Sequence, residues 1–230
     1  MLTASQLEEQ LTALTQATRQ PWNVNFFCHT PPASDPQGEQ RWAHALRPLY
    51  DTFGADPSAI PDGPSRHPFD ADAARLVEQF RPAVVSFHYG LPAEGLLEQV
   101  KACGAQVISS ATTVEEALWL QHHGADAIIT QGLEAGGHRG HFLSDDLTRQ
   151  QGTLALVPQV REAVTVPVIA AGGIATPQGV SSAFSLGADA IQVGTAYLLC
   201  PEATTKPVHR AWLQSDRARH TALTTAFSGR

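Results

Sequence analysis

From Gln131 to Gly140 the chain reads Gln-Gly-Leu-Glu-Ala-Gly-Gly-His-Arg-Gly. These residue types, in this order, can do chemistry. Paired glycines let a backbone approach a ligand closely. Gln131 offers a donor and an acceptor in one plane. His138 belongs to the side-chain type whose ordinary pKa lies nearest neutrality. The segment follows Ala125-Asp126-Ala127-Ile128-Ile129, an apolar run that reads as a buried strand. It therefore reads as a wall facing a cofactor, with a general base beside it, rather than as a turn with an incidental histidine.

A second signal lies downstream. Val166–Ile174 (VPVIAAGGI) and Ala188–Ala196 (ADAIQVGTA) are apolar runs that end in glycine, with one helix between them. Neighbouring parallel strands with such ends form phosphate sites in βα barrels. The backbone N–H groups of Gly172, Gly173, Gly194 and Thr195 can cradle a phosphate without a lysine. His88 closes the apolar run Val84–Phe87, just before Tyr89-Gly90. A polar group at the carboxyl end of a barrel strand points into the site.

Other polar residues read as structural. Glu134 and Arg139 flank the glycines as candidates for an ion pair that shapes the loop. His122 and His123 close a helix, where a cation suits the dipole. Ser109, Ser110 and Thr130 stand in no triad context. No His, Cys or carboxylate cluster has metal-ligand spacing.

Elements that could position these residues alternate regularly. Expected strands are 22–27, 83–88, 106–110, 127–131, 166–171 and 190–197. Most are continuously apolar, the pattern of parallel strands covered on both faces. Expected helices are 71–80, 96–103, 114–122, 154–163 and 178–186, several opened by capping residues such as Asp70, Thr113 and Thr176. Gly104, Gly124 and Gly187 each stand where a left-handed residue would stop a helix before the next strand. This grammar predicts an α/β fold, a (βα)8 TIM barrel rather than an open sheet, with about six βα units in residues 1–230. Residues 28–69 interrupt it. They hold eight prolines (at 31, 32, 36, 48, 57, 61, 64 and 68) around a helical piece at 39–53. Such an insertion reads as a lid over the catalytic face or as a solvated excursion.

Composition narrows the function classes. The chain has 230 residues, 43% of them hydrophobic, enough for a single domain with one sizeable core. A net charge of −7 with dispersed basic residues argues against a nucleic-acid footprint. No apolar run approaches the ~20 residues that span a bilayer, and the first residues lack the pattern of a signal peptide. Three well-separated cysteines, Cys28, Cys103 and Cys200, fit a reduced, cytoplasmic setting. A monomer or homodimer is expected.

The segments QGLEAGGHRG, VPVIAAGGI and ADAIQVGTAYL, with NVNFF and SFHYG, resemble the nitronate monooxygenases, formerly called 2-nitropropane dioxygenases. The resemblance spans nearly the whole chain, and its most specific part is QGLEAGGHRG. It implies an FMN-binding TIM barrel with cofactor contacts from Asn25, Gln131, Gly136, Gly172, Gly173, Gln192, Val193, Gly194 and Thr195. It implies that His138, His88 or both serve the chemistry. The implied reaction is oxidation of an alkyl nitronate such as propionate 3-nitronate with oxygen, giving a carbonyl product and nitrite or nitrate.

Set against that family, the run 22–27 becomes strand three. Strands one and two, about 40–45 residues amounting to one βαβ unit and its loops, have no counterpart. Neither does a flavin loop of the APM kind, nor a segment beyond Phe227–Arg230. The expected outcome is six of eight barrel units with open edges at 22–27 and 190–197. Two other readings stay open: an FMN-dependent enoyl-ACP reductase, and a non-catalytic flavin-barrel remnant. No GxGxxG opens a helix, so no nicotinamide fingerprint is present.

Overall fold

The computed structural model describes residues 2–59 and 67–226. Its strands are β1 (Asn23–Phe27), β2 (Val84–His88), β3 (Gln106–Ala111), β4 (Ala127–Gln131), β5 (Val168–Ala171) and β6 (Ala190–Gln192). Its α-helices are α1 (Ala4–Ala17), α2 (Pro36–Phe53), α3 (Ala71–Phe80), α4 (Glu94–Ala102), α5 (Val114–His122), α6 (Thr153–Ala163), α7 (Pro177–Ser185) and α8 (Pro207–Leu213). The strands form one parallel sheet in chain order, so β1 and β6 are its edges. The architecture is that of an incomplete (βα)8 barrel.

Alternation along each strand divides two faces. One face packs on helices. Val85, Phe87 and Val107 meet Val77 of α3 and Val100 of α4. Ile128 and Val168 meet Leu120 of α5 and Leu156 and Val160 of α6. Ala170 meets Val157 of α6 and Ala183 of α7. Burial of each large apolar side chain contributes ~1.5–3 kcal/mol, so this side holds the sheet together. The opposite face is polar towards the carboxyl ends of the strands, where Asn25, Ser86, His88, Ser110 and Gln131 stand.

The helix-to-strand joints repeat a single device. Gly104, Gly124 and Gly187 take positive φ values of 85°, 99° and 97°, as expected of helix stops. After the latter two comes Ala-Asp. The Asp126 carboxylate accepts from Val107 N at 2.7 Å and pairs with Lys101 of α4 at 3.0 Å. The Asp189 carboxylate accepts from Val168 N at 2.8 Å and pairs with Arg161 of α6 at 3.2 Å. Each aspartate ties its own strand to the preceding one and to a helix on the covered face.

Several boundaries differ from the sequence reading. The strand expected at 190–197 stops at Gln192, and Thr195–Leu199 coil into a 3-10 turn headed by Gly194. The strand expected from Val166 starts at Val168, because Pro167 has no N–H for the ladder. The insertion helix starts at Pro36 rather than Glu39, since Asp35 caps it by accepting from Gly38 N at 2.8 Å. None of the α2 side chains is buried. Pro61 and Pro64, with the terminal run Phe227–Arg230, lie outside the described residues. Among the described residues no helix is long and apolar enough to cross a membrane.

Candidate active site

The loop after β4 is held in shape by its own side chains. Gln131 is buried, donating from Nε2 to the His138 carbonyl at 2.9 Å and accepting from Gly140 N at 2.7 Å. The amide expected to face a cofactor is thus turned into its own loop. Arg139 is 4% exposed. Its guanidinium donates to the carbonyls of Gly132, Leu133 and Ala135 at 2.7, 2.9 and 3.0 Å. Glu134 reaches the start of α6, accepting from Thr153 N at 2.8 Å and Thr153 Oγ1 at 2.9 Å. Burial opposes the Glu134 charge, but the Thr153 bonds outweigh it and hold the carboxyl below its usual range. A carboxylate at a helix N-terminus also suits the dipole. Glu134 and Arg139 shape the loop without forming the direct ion pair that the sequence allowed: Arg139 binds backbone carbonyls, Glu134 binds Thr153, and their charges favour each other only from farther off.

Within this frame His88, at the end of β2, and His138, in the loop after β4, are brought together. Nε2 of His88 lies 3.2 Å from the His138 carbonyl, and Nδ1 lies 3.1 Å from Ser110 Oγ. A carbonyl only accepts, so Nε2 carries the proton and Nδ1 of the neutral ring accepts from the Ser110 hydroxyl. Burial is the main cause that lowers the His88 pKa to about 4, helped by the charges of His138, Arg139 and His141. Both nitrogens of this neutral ring are in use. Gly140 makes room for it, because a β-carbon at 140 would sit 2.7 Å from His88 Cε1.

Phe27, at the end of β1, centres a group of rings. Its centroid lies 5.5 Å from His88, 5.4 Å from Tyr89 and 5.2 Å from His138. Tyr89 takes φ +68°, which is uncommon for a residue with a side chain. The site therefore has an aromatic wall on the β1–β2 side, with the His138 ring against it.

The glycine loops meet on the other side. Gly172 and Gly173 take φ +121° and +67°. A β-carbon on Gly172 would lie 2.7 Å from Thr153 Oγ1, and one on Gly173 would lie 3.1 Å from Glu134 Cβ. Gly136 stands against the loop after β6, where an added β-carbon would lie 3.0 Å from Thr195 Oγ1. Gly194 has nothing within 4 Å in that direction. The loops after β4, β5 and β6 thus meet at a glycine-lined cradle, open beside Gly194, with Gln192 exposed and Val193 partly buried next to it. Glycine-rich backbone at strand ends is the donor set a phosphate needs, so these residues fit a phosphate-bearing cofactor. Asn25 lies farther off, on edge strand β1, where its Oδ1 accepts from Ser86 Oγ at 2.9 Å.

The sequence reading missed Ser110, Phe27 and Tyr89 as parts of the site, and gave Gly140 no role towards His88. Ser110 had the same signal as His88, a polar residue at the carboxyl end of a strand. The signal was masked by Ser109, which faces the other way and donates to the carbonyls of Phe87 and Gly90. The positive φ of Tyr89 had no signal.

Fold and site together define a class: a βα-barrel protein with a glycine cradle and two histidines at the carboxyl end of its sheet. The chain belongs to the nitronate monooxygenase family, whose profile matches residues 1–230. It is 42% identical over 221 residues to the nitronate monooxygenase of Pseudomonas aeruginosa, a match covering 93% of this chain and 61% of that protein. It is 34% identical over 230 residues to a probable nitronate monooxygenase of Bacillus subtilis, covering 65% of that protein. Among solved structures it is similar to the nitroalkane oxidase from Streptomyces ansochromogenes, with a TM-score of 0.89 and 34% identity over 99% of this chain and 65% of that one. Similarity to FabK from Thermotoga maritima is lower, with a TM-score of 0.70 and 28% identity over 98% of this chain and 57% of that one. The chain spans less than two thirds of the length of these relatives.

Proposed function

We propose that this chain holds FMN and acts as a nitronate monooxygenase on small alkyl nitronates such as propionate 3-nitronate, in the cytoplasm. The observation that carries the reading is the meeting of three glycine-bearing strand ends beside an aromatic wall and a histidine. Gly172, Gly173, Gly194 and Thr195 would hold the phosphate, with Gly136, Gln192 and Val193 against the rest of the cofactor. When bound, FMN supplies the electron acceptor that protein side chains lack.

The remaining chemistry falls to the chain. A nitronate carries negative charge on its nitro oxygens. His138, placed against Phe27, is the group to face that anion, donating to an oxygen or taking the α-proton from a neutral nitroalkane. His88 holds the His138 main chain. Phe27 and Tyr89 keep water from one side of the site, which strengthens electrostatic interactions within it.

The test is a titration of the full chain with FMN, followed by oxygen uptake with propionate 3-nitronate. Flavin binding with nitronate-dependent oxygen consumption is expected. Bleaching of bound flavin by NAD(P)H, with an enoyl thioester as oxidant, would replace this reading by an enoyl reductase. A folded chain that takes up no FMN would point to a non-catalytic remnant.

A further inference from the structure

We propose that Ser110 is a positioning residue of this site: its hydroxyl holds His88 in the tautomer protonated on Nε2, and so fixes the main chain of His138. The proposal rests on the nitronate-oxidising reading for its catalytic consequence alone.

The chain of contacts is continuous. Ser110 Oγ lies 3.1 Å from Nδ1 of His88, and Nε2 of His88 lies 3.2 Å from the His138 carbonyl. The same carbonyl accepts from Gln131 Nε2 at 2.9 Å, while Gln131 Oε1 accepts from Gly140 N at 2.7 Å. Two side chains from two strands thus grip a single carbonyl, and both are buried or nearly so. The fixed backbone sets where the His138 ring is anchored, and Phe27 packs against that ring at 5.2 Å between centroids.

The grip needs one particular arrangement of hydrogens. If the proton of the neutral ring moved to Nδ1, the lone pair of Nε2 would face the lone pairs of the His138 oxygen. A hydroxyl donating to Nδ1 prevents this by occupying that lone pair. Ser110 is 5% exposed, so bulk water does not stand in for it. Lowering of the His88 pKa to about 4, caused chiefly by burial, keeps the ring neutral near neutral pH. Space for the ring comes from Gly140, whose missing β-carbon would lie 3.1 Å from both His88 Nδ1 and Ser110 Cβ.

Ring nitrogen NMR of the 15N-labelled full chain, with no cofactor or substrate, tests the hydrogen bonds. The His88 signals are assigned by their loss in His88→Asn. The expected result is a proton on Nε2 and an accepting Nδ1, with the Nδ1 resonance moving downfield in Ser110→Ala and returning in Ser110→Thr. Turnover is measured on the same proteins with FMN. Ser110→Ala should lose about tenfold in kcat, the scale of one buried hydrogen bond, with KM little changed and recovery in Ser110→Thr. A wild-type His88 protonated on Nδ1, or an Nδ1 resonance unmoved by Ser110→Ala, overturns the proposal even if that variant alone is unstable. So does full kcat in a Ser110→Ala protein that has lost the hydrogen bond. If the wild-type chain oxidises no nitronate, the functional reading falls and the ring resonances still decide the role of Ser110.

Discussion

Gly140 and His88 share a space that only a glycine leaves open. A β-carbon at position 140 would lie 2.7 Å from His88 Cε1 and 3.1 Å from Nδ1. The last glycine of the sequence motif is therefore a seat for the imidazole of another strand. Its backbone N–H is also spoken for, donating to Gln131 Oε1 at 2.7 Å.

Gly140→Ala should displace that ring. Overpacking of this kind costs about 1–3 kcal/mol, and we expect a loss of that order in chemical denaturation. Combined with His88→Ala, the penalty should shrink, because the 2.7 Å approach to the ring is gone and only the 3.1 Å approach to Ser110 Cβ remains. Additive effects of the two substitutions would contradict the contact, since residues in contact couple.

Gly194→Leu should leave folding intact. Its φ is −111°, which side chains adopt readily, and nothing lies within 4 Å of an added β-carbon. If the cradle takes a flavin phosphate, the same substitution fills it, and FMN affinity should fall at least about tenfold, or ~1.4 kcal/mol. Flavin fluorescence titration, with a denaturation curve to confirm folding, checks both parts.

His138→Asn should lower nitronate turnover by ~10²-fold, within the usual range for a positioned acid–base group. The FMN dissociation constant should change little, because the cradle lies on the glycine loops. Steady-state kinetics beside a flavin titration separate the two effects. Undiminished turnover would remove His138 from the chemistry.

His88 should make stability depend on pH. Its folded pKa is lowered from 6.5 to about 4, chiefly by burial. Above pH 6.5 neither the folded nor the unfolded state protonates the ring, and nothing is lost. As pH falls from there towards 4, the unfolded state gains a proton that the folded state refuses, so stability drops by up to about 3 kcal/mol. His138, Arg139 and His141 face the same ring and share in the effect. Denaturation midpoints measured from pH 7 to pH 4 should fall more steeply for the wild type than for His88→Asn.

Much of the scaffold was legible because local rules decide it. Helices 71–80 and 114–122 and strand 127–131 fall where capping residues and apolar runs placed them. The Gly-Ala joints after α4, α5 and α7 were readable because a positive φ before a strand nearly demands glycine. Glycine pairs at 136–137 and 172–173, with His138 and His88, stood out because polar or flexible residues at the end of an apolar strand have no packing purpose.

What tertiary structure alone decided is which of these groups meet. The His138 carbonyl comes from the loop after β4, and Gln131, His88 and Ser110 from three different strands, and only the parallel register brings them within hydrogen-bond distance. The family resemblance implied a cofactor contact from Gln131 and left His138, His88 or both as candidates for the chemistry. In the fold Gln131 braces its own loop, and His88 has each nitrogen of its neutral ring engaged. Hydrogen-bond partners across a sheet depend on strand order and on which face each residue takes, and no local pattern in the chain encodes either.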